Sequence, residues 1–265
     1  MPIAKLFIEG KLDFEVLNPI LQGTPLLQRG GSKNSLKPRA FNERQENKVV
    51  AAYLRDRDFD FDPPDDLSKP TADSKVGWRW CRHEIENYLV EPAVVSEAMT
   101  WSLREVEDAI RQAARQIRNY EAARWTIGIV RRALPPHYDL KTRPDLNEIA
   151  LPPALDSVAV NTWALNNIEV HRSRIAASTD PSAVQASLDG FLARFDEAFV
   201  AEVANVLLWF SGKDILAGMA DWLATKSIAN PGEFRAVLRD WIISNPDRAL
   251  DLLPEWKGLI DVLRV

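Results

Sequence analysis

An α/β half followed by a mainly α-helical C-terminal region is the fold this sequence predicts. Three observations carry that reading. Short apolar runs alternate with helical spacing over the first third of the chain. Lys48–Leu54 (KVVAAYL) is a nearly continuous apolar run, as expected of a strand buried on both faces. From about residue 93 onward, apolar residues recur at spacings of three and four, broken by prolines. The strand–helix alternation argues for a small, mostly parallel sheet flanked by helices. The chain therefore divides into residues 1–92 and 93–265.

Taken in order, Lys5-Leu6-Phe7-Ile8 is a short strand stopped by Glu9-Gly10. Phe14, Leu17, Ile20 and Leu21 give Asp13–Leu21 helical spacing. Thr24–Gln28 is a second strand, closed by Gly30-Gly31, and residues 35–47 are polar and helical after Pro38. Lys48–Leu54 is the third strand, and Gly77–Cys81 (GWRWC) alternates like a fourth. Residues 59–76, rich in Asp, Pro, Ser and Lys, read as an exposed loop. In the second part Leu103, Val106, Ile110, Ala113, Ile117 and Tyr120 share one helix face. Further helices are expected near 183–208, 214–226, 232–243 and 246–264, with a surface loop over 134–156.

The chain has 265 residues, 46% apolar and 27% charged, so a buried core is expected rather than disorder. Its net charge of −5 excludes a uniformly basic nucleic-acid coat and leaves room for a local basic groove. The single cysteine, Cys81, excludes an internal disulfide framework and any zinc site with several thiolates, and fits a reducing cytosol. The start carries no charged leader with a long apolar run, and no apolar stretch is long enough to span a bilayer. The expected location is cytoplasmic, without membrane association.

Carboxylates fall where strands end. Glu9 follows the first strand directly, and Asp13 comes one helical turn later. Asp56, Asp58 and Asp60 follow the third strand and share a face if the chain stays extended there. In an open α/β sheet the ligand crevice lies beyond the carboxyl ends of the strands, so two strand ends deliver acids to one crevice. Acids held that close repel and raise each other's pKa, and a hard divalent cation relieves the repulsion. Metal-assisted phosphoryl transfer is the chemistry that follows. Asp62, Asp65 and Asp66 read as a solvated rim.

Just after GWRWC comes Arg82-His83-Glu84-Ile85-Glu86-Asn87-Tyr88-Leu89. Asn87 stands where the zinc-protease HExxH motif needs its second histidine, so this is not that motif. Glu84 and Glu86 point together only in an extended chain, and one of them is expected to join the acidic site. His83 reads as a hydrogen-bonded structural histidine.

In that order, FIEGKLD, AAYLRDRDFD and HEIENYL resemble a TOPRIM domain, the Mg²⁺-binding fold of topoisomerases, primases and OLD-family nucleases. More narrowly, the set is similar to the small TOPRIM effector subunits encoded beside ABC-type ATPases in phage-defence operons of the PARIS type. The matching motifs lie within residues 5–92. The resemblance implies that Glu9 is a metal ligand or acid/base group, that Asp13 is a second acid, and that Asp56 and Asp58 are metal ligands. Glu84 and Glu86 occupy the third motif, with the ligand between them left open. The implied cofactor is Mg²⁺ or Mn²⁺, as two ions. Gly30-Gly31-Ser32-Lys33 resembles the glycine-bearing turn whose N–H groups approach phosphate. Phe59-Asp60 after the DxD, in place of glycine, favours the OLD-like branch.

OLD-like nucleases also carry a C-terminal lysine that supports the transition state, and Lys213 in Phe210-Ser211-Gly212-Lys213 matches it best. A surface lysine at a helix start is the plainer alternative. Gly212-Lys213-Asp214 lacks the rest of a P-loop, so the resemblance places ATP sensing in a separate ABC-type ATPase. It implies a metal-dependent endonuclease cutting DNA or tRNA, the toxic effector of an anti-phage system, with residues 93–265 docking partner and substrate. A homodimer is compatible with it.

Arg29, Lys33, Lys37, Arg39, Arg44 and Lys48 outnumber Glu43 and Glu46 between residues 28 and 48. Arg104, Arg111, Arg115 and Arg118 form a stripe on the long helix. Lys33, Lys37, Arg39, Arg111, Arg115 and Arg118 are the candidate nucleic-acid contacts, with a solvated helix face as the alternative for the arginines. Two other readings remain. One is a non-catalytic interaction module whose degenerate site docks on an ABC-type ATPase. The other is a phosphatase with Asp56 as nucleophile, weakened because Phe59 follows its DxD where haloacid dehalogenase-like enzymes carry Thr or Val.

Overall fold

β1 (Lys5–Ile8) and β3 (Ala51–Arg55) lie side by side in a five-stranded sheet, and their ends position the acids. The structure is a computed structural model and describes residues 1–136 and 157–264. The strand order is β2-β1-β3-β5-β4, with β2 at Leu26–Arg29, β4 at Thr71–Ser74 and β5 at Gly77–Arg79. Every neighbouring pair is parallel except β4 with β5. Helices α1 (Lys11–Leu21) and α2 (Lys33–Glu46) make the crossovers from β1 to β2 and from β2 to β3. Ala51, Ala52, Tyr53 and Leu54 of β3 are all buried, which is why this strand reads as a continuous apolar run.

Residues 59–76 are not all loop. Thr71–Ser74 form the edge strand β4, whose polar sequence carries no alternation signal because an edge strand faces water. Asp73 fastens it, accepting from Tyr53 Oη at 2.5 Å and Arg55 Nη2 at 3.2 Å. Asp62, Asp65 and Asp66 are exposed, as expected of a rim.

The helical part runs α3 (Glu86–Leu89), α4 (Pro92–Met99), α5 (Leu103–Ala133), α6 (Ser157–Ser178) and α7 (Pro181–Val200). It continues through α8 (Val203–Trp209), α9 (Gly212–Gly218), α10 (Ala220–Thr225), α11 (Pro231–Ser244), α12 (Pro246–Leu252) and α13 (Pro254–Arg264). The loop expected over 134–156 lies, from residue 137 on, outside the described residues. No helix among the described residues is long and apolar enough to cross a membrane.

Two compact units result. Met1–Glu121 with Arg194–Val265 forms one, and Ala122–Ala193 the other. The boundary expected between residues 92 and 93 therefore falls inside the first unit. The physical reason is that the C-terminal helices complete the α/β core. The rings of Trp80, Tyr88 and Trp256, all buried, have centroids 5.1 to 6.4 Å apart. Glu255 at the start of α13 accepts from Cys81 N at 2.8 Å and from Tyr88 Oη. In the second unit Trp125 stacks on Phe191 at 5.3 Å, and Ser178 Oγ donates to Ala133 O at 3.0 Å. Helix α6 was not expected from the sequence. Among its described side chains none is buried, and Val158, Leu165, Ile168 and Val170 are exposed.

Candidate metal centre

Because β1 and β3 are parallel neighbours, Glu9 and Asp56 leave the sheet on the same edge. Asp56 N donates to Glu9 Oε1 at 3.2 Å. Gly10 then turns the chain so that its N–H donates to Asp13 Oδ2 at 3.2 Å. A Cβ at position 10 would lie 2.7 Å from that oxygen, so a side chain there would push the Asp13 carboxylate aside. Asp13 is thereby buried beside Glu9.

Beyond β3 the chain does not stay extended. Asp58 has φ of 49°, a left-handed conformation that aspartate tolerates better than most side chains. Arg57 N and Asp58 N both donate to His83 O, at 2.9 and 3.2 Å. The fully buried Arg57 side chain donates to Phe61 O at 2.7 Å and Leu208 O at 2.5 Å. This bend places carboxylate oxygens of Asp56, Asp58 and Glu84 within 4.8 Å of one another. Asp60 is carried out of the group and pairs with Lys33 at 2.5 Å, so the three aspartates do not project together as an extended strand would make them. Lys33 also reaches Asp58, at 2.7 Å. His83 is structural, as expected: it is buried, its Nε2 lies 3.1 Å from Trp209 O, and its ring packs on Phe59.

Glu84 and Glu86 have different duties. Glu84 is the one that joins Asp56 and Asp58. Its Oε1 accepts from Ser211 Oγ at 2.8 Å and Lys213 N at 2.9 Å, and its Oε2 pairs with Lys213 Nζ at 2.5 Å. Glu86 sits farther out, 3.8 Å from Lys213 Nζ and 3.4 Å from Arg235 Nη1. Lys213 does start a helix, but its ammonium reaches both acids.

The joint that brings Lys213 here is Asn87, which has no exposed surface. Its Nδ2 donates to Leu207 O and Phe210 O at 2.9 and 2.8 Å. Its Oδ1 accepts from Glu84 N and Gly212 N at 3.2 and 3.1 Å. Gly212 is equally constrained, since a Cβ there would lie 2.4 Å from Asn87 N.

Glu9, Asp13, Asp56 and Glu86 line a cleft of about 530 Å³ whose α11 wall is Arg235 and Arg239. Burial, with Asp58 and Asp13 adding repulsion, pushes the Glu9 carboxyl up to about 7. Burial likewise raises Asp13, and raises Asp56 well above the carboxylate range, with Asp13, Glu9 and Glu84 adding to the effect. Glu86 is raised by burial and then by Glu84. Burial works against the Lys213 ammonium, but Glu84 and Glu86 outweigh it and hold its pKa above the usual lysine value. Lys33 is raised the same way by Asp58 and Asp60. Glu9, Asp13, Asp56, Asp58, Glu84 and Glu86 thus crowd together with Lys33, Lys213 and Arg235 as the cations in contact with them, and the repulsion that remains among the acids is what a divalent cation would relieve.

The donor set is all oxygen, which suits Mg²⁺ or Mn²⁺. Asp56 Oδ1 is buried and has no hydrogen-bond partner among the described residues. An orphaned carboxylate oxygen is costly unless something positive occupies the space before it. Asp56, Asp58 and Glu84 would hold the ion, with Glu9 and Asp13 at its margin.

The nucleic-acid candidates separate. Lys33 is at the site, and Lys37 lines a neighbouring groove with Arg55 and Phe61. Arg39 is exposed on α2. Arg111 Nη1 donates to Phe199 O and Ala201 O at 3.1 and 2.7 Å, Arg115 sits 5.5 Å over the Phe199 ring, and Arg118 pairs with Asp196 at 2.6 Å. These three bind the end of α7, and none lines the cleft. Sequence reasoning passed over Asn87, Ser211, Arg235 and Arg239. The spacing of the two arginines was visible, but nothing local tied α11 to the acids. No family model matches the chain, and no curated protein matches it.

Proposed function

We propose that this chain is a divalent-metal-dependent nuclease of the TOPRIM class, on its OLD-like branch, hydrolysing phosphodiester bonds in DNA or tRNA. The observation that carries the reading is the unpartnered Asp56 Oδ1, placed with Asp58 and Glu84 at the ends of parallel strands. A bound Mg²⁺ or Mn²⁺, as one or two ions, would supply an activated water and charge stabilisation at the phosphate. Glu9, with its carboxyl near 7, is suited to take a proton from the attacking water at neutral pH. The Lys213 ammonium, held on Glu84, would stabilise charge on the transferring phosphate. The ordered TOPRIM motifs support a place as the effector of a two-component anti-phage system with a separate ABC-type ATPase.

Purified protein with Mg²⁺ or Mn²⁺ is expected to cut plasmid DNA or total tRNA, and Glu9→Ala and Asp56→Asn to abolish cutting. Metal-dependent cutting at an unchanged rate in both variants would refute the site. A second reading, an interaction module, draws on the exposed Leu165, Ile168 and Val170 of α6. It would be favoured if the chain bound the ATPase but no metal.

A further inference from the structure

Two arginines that belong to none of the acidic motifs stand on the wall of the same cleft. Arg235 and Arg239 are one helical turn apart on α11, and both line the cleft with Lys11 and Lys213. Side chains four apart on a helix lie about 5–6 Å from each other at Cβ, so the pair presents a single face. Both stay accessible, with 45% and 29% of the side chain exposed. Arg235 makes a long contact from Nη1 to Glu86 Oε1 at 3.4 Å. Arg239 Nη1 donates to Glu15 at 3.1 Å, while its Nε and Nη2 both lie on Asp240, at 2.8 and 2.7 Å, so two of its five N–H groups are left over. A guanidinium has five N–H donors in a planar fork, so these contacts leave each arginine able to grip an oxyanion.

The floor of the cleft is acidic and its α11 wall is basic. One ligand satisfies both: a chain of phosphodiesters, with one phosphate on the cation that the floor needs and the next on the guanidinium wall. The arginines of α5 at Arg111, Arg115 and Arg118 are committed to α7. We infer that Arg235 and Arg239 form the phosphate-binding wall that carries a nucleic-acid backbone past the acidic centre. Arg235, beside Glu86, takes the phosphate nearer the centre, and Arg239 the next one along. This inference rests on the nuclease reading and identifies the surface that presents the substrate to it.

The test is binding rather than cleavage. Fluorescein-labelled DNA and RNA oligonucleotides of one sequence are titrated in Ca²⁺ with the full chain carrying Glu9→Gln, across a salt series. In that background Arg235→Gln/Arg239→Gln is expected to weaken binding about tenfold or more, and to flatten the log–log salt slope by about 1.4–1.8, the share of two phosphate contacts. Each single variant is expected to give about half that change in slope, which keeps the test open if the double variant does not fold. Arg248→Gln, which breaks a pair with Glu97 outside the cleft, is expected to change neither quantity. The Mg²⁺-induced shift in Tm is expected to survive in the arginine variants, because the carboxylates are untouched. Tight binding with an unchanged slope in those variants overturns the inference and leaves the nuclease reading standing. Failure of the parent protein to bind either oligonucleotide overturns both. Preference for one oligonucleotide, lost with the arginines, supports the inference and names the substrate.

Discussion

The acidic centre should make the metal-free protein less stable as pH rises, and a divalent cation should cancel the loss. Glu9 moves from its ordinary 4.5 to about 7 in the fold, which means the folded state holds its proton more tightly than the unfolded chain does. For a carboxyl shifted in that direction, the stabilising contribution of the bound proton is full below pH 4.5 and is lost as pH rises through about 7. At about 1.4 kcal/mol per pH unit the shift corresponds to roughly 3 kcal/mol. Solvent reaches part of this side chain, and screening reduces the figure to about 1–2 kcal/mol. Asp13, Asp56 and Glu86 are raised as well and act with the same sign. At about 2–4 °C per kcal/mol, Glu9 alone should lower the metal-free Tm by about 2–8 °C between mildly acidic and mildly alkaline buffer. Scanning fluorimetry in chelator, repeated with about 10 mM Mg²⁺, reads both curves, and the metal curve should stay level because binding is linked to folding. Glu9→Gln should remove its share of the slope. A metal-free Tm that is flat or rising across the range, or a metal shift that does not grow with pH, would refute the electrostatic account.

Three further outcomes follow from named contacts. Asp56→Asn is expected to abolish the Mg²⁺ shift and to raise the metal-free Tm, because it replaces a carboxyl group that has a buried oxygen without a hydrogen bond and is crowded by Asp13, Glu9 and Glu84 with an amide that carries no charge; scanning fluorimetry reads both. Asn87→Ala removes both donors and the shared acceptor of a buried joint and should cost about 3–5 kcal/mol in urea unfolding, as the carbonyls of Leu207 and Phe210 lose their partner. Gly212→Ala forces a Cβ against the Asn87 backbone and should cost about 1–3 kcal/mol while weakening the metal response, measured by the same unfolding curves with and without Mg²⁺.

The sheet was legible because central strands advertise themselves. KVVAAYL had one reading, and the strand–helix order behind Lys5–Ile8 allowed few topologies. Glu9 and Asp56 were legible for the same reason, since acids directly after apolar strands can only sit at the sheet's edge. β4 was not, because its polar residues carry no periodic signal and its pairing rests on Asp73 meeting Tyr53 and Arg55 from the neighbouring strand. The choice between Glu84 and Glu86 was also closed to the sequence. It depends on Ser211 and Lys213, more than a hundred residues away, arriving at Glu84. α6 left no trace because an unburied helix needs no apolar stripe.

The site's long-range half hangs on backbone rather than on charge. Lys213 could be attracted to Glu84 from many directions, but its own N–H and that of Gly212 are bonded to the 84–87 segment, and Ser211 fills the remaining position on Glu84 Oε1. Those bonds close only because position 212 has no side chain and Asn87 offers one acceptor to two N–H groups at once. The motif reading treated Asn87 as the residue that broke a zinc-binding pattern. In the fold it is what lets a lysine from the helical tail serve acids from the sheet. The C-terminal helices are therefore part of the centre and not an appendage to it. Truncation before α8 should remove the metal response along with the fold of the first unit, not leave a working α/β half.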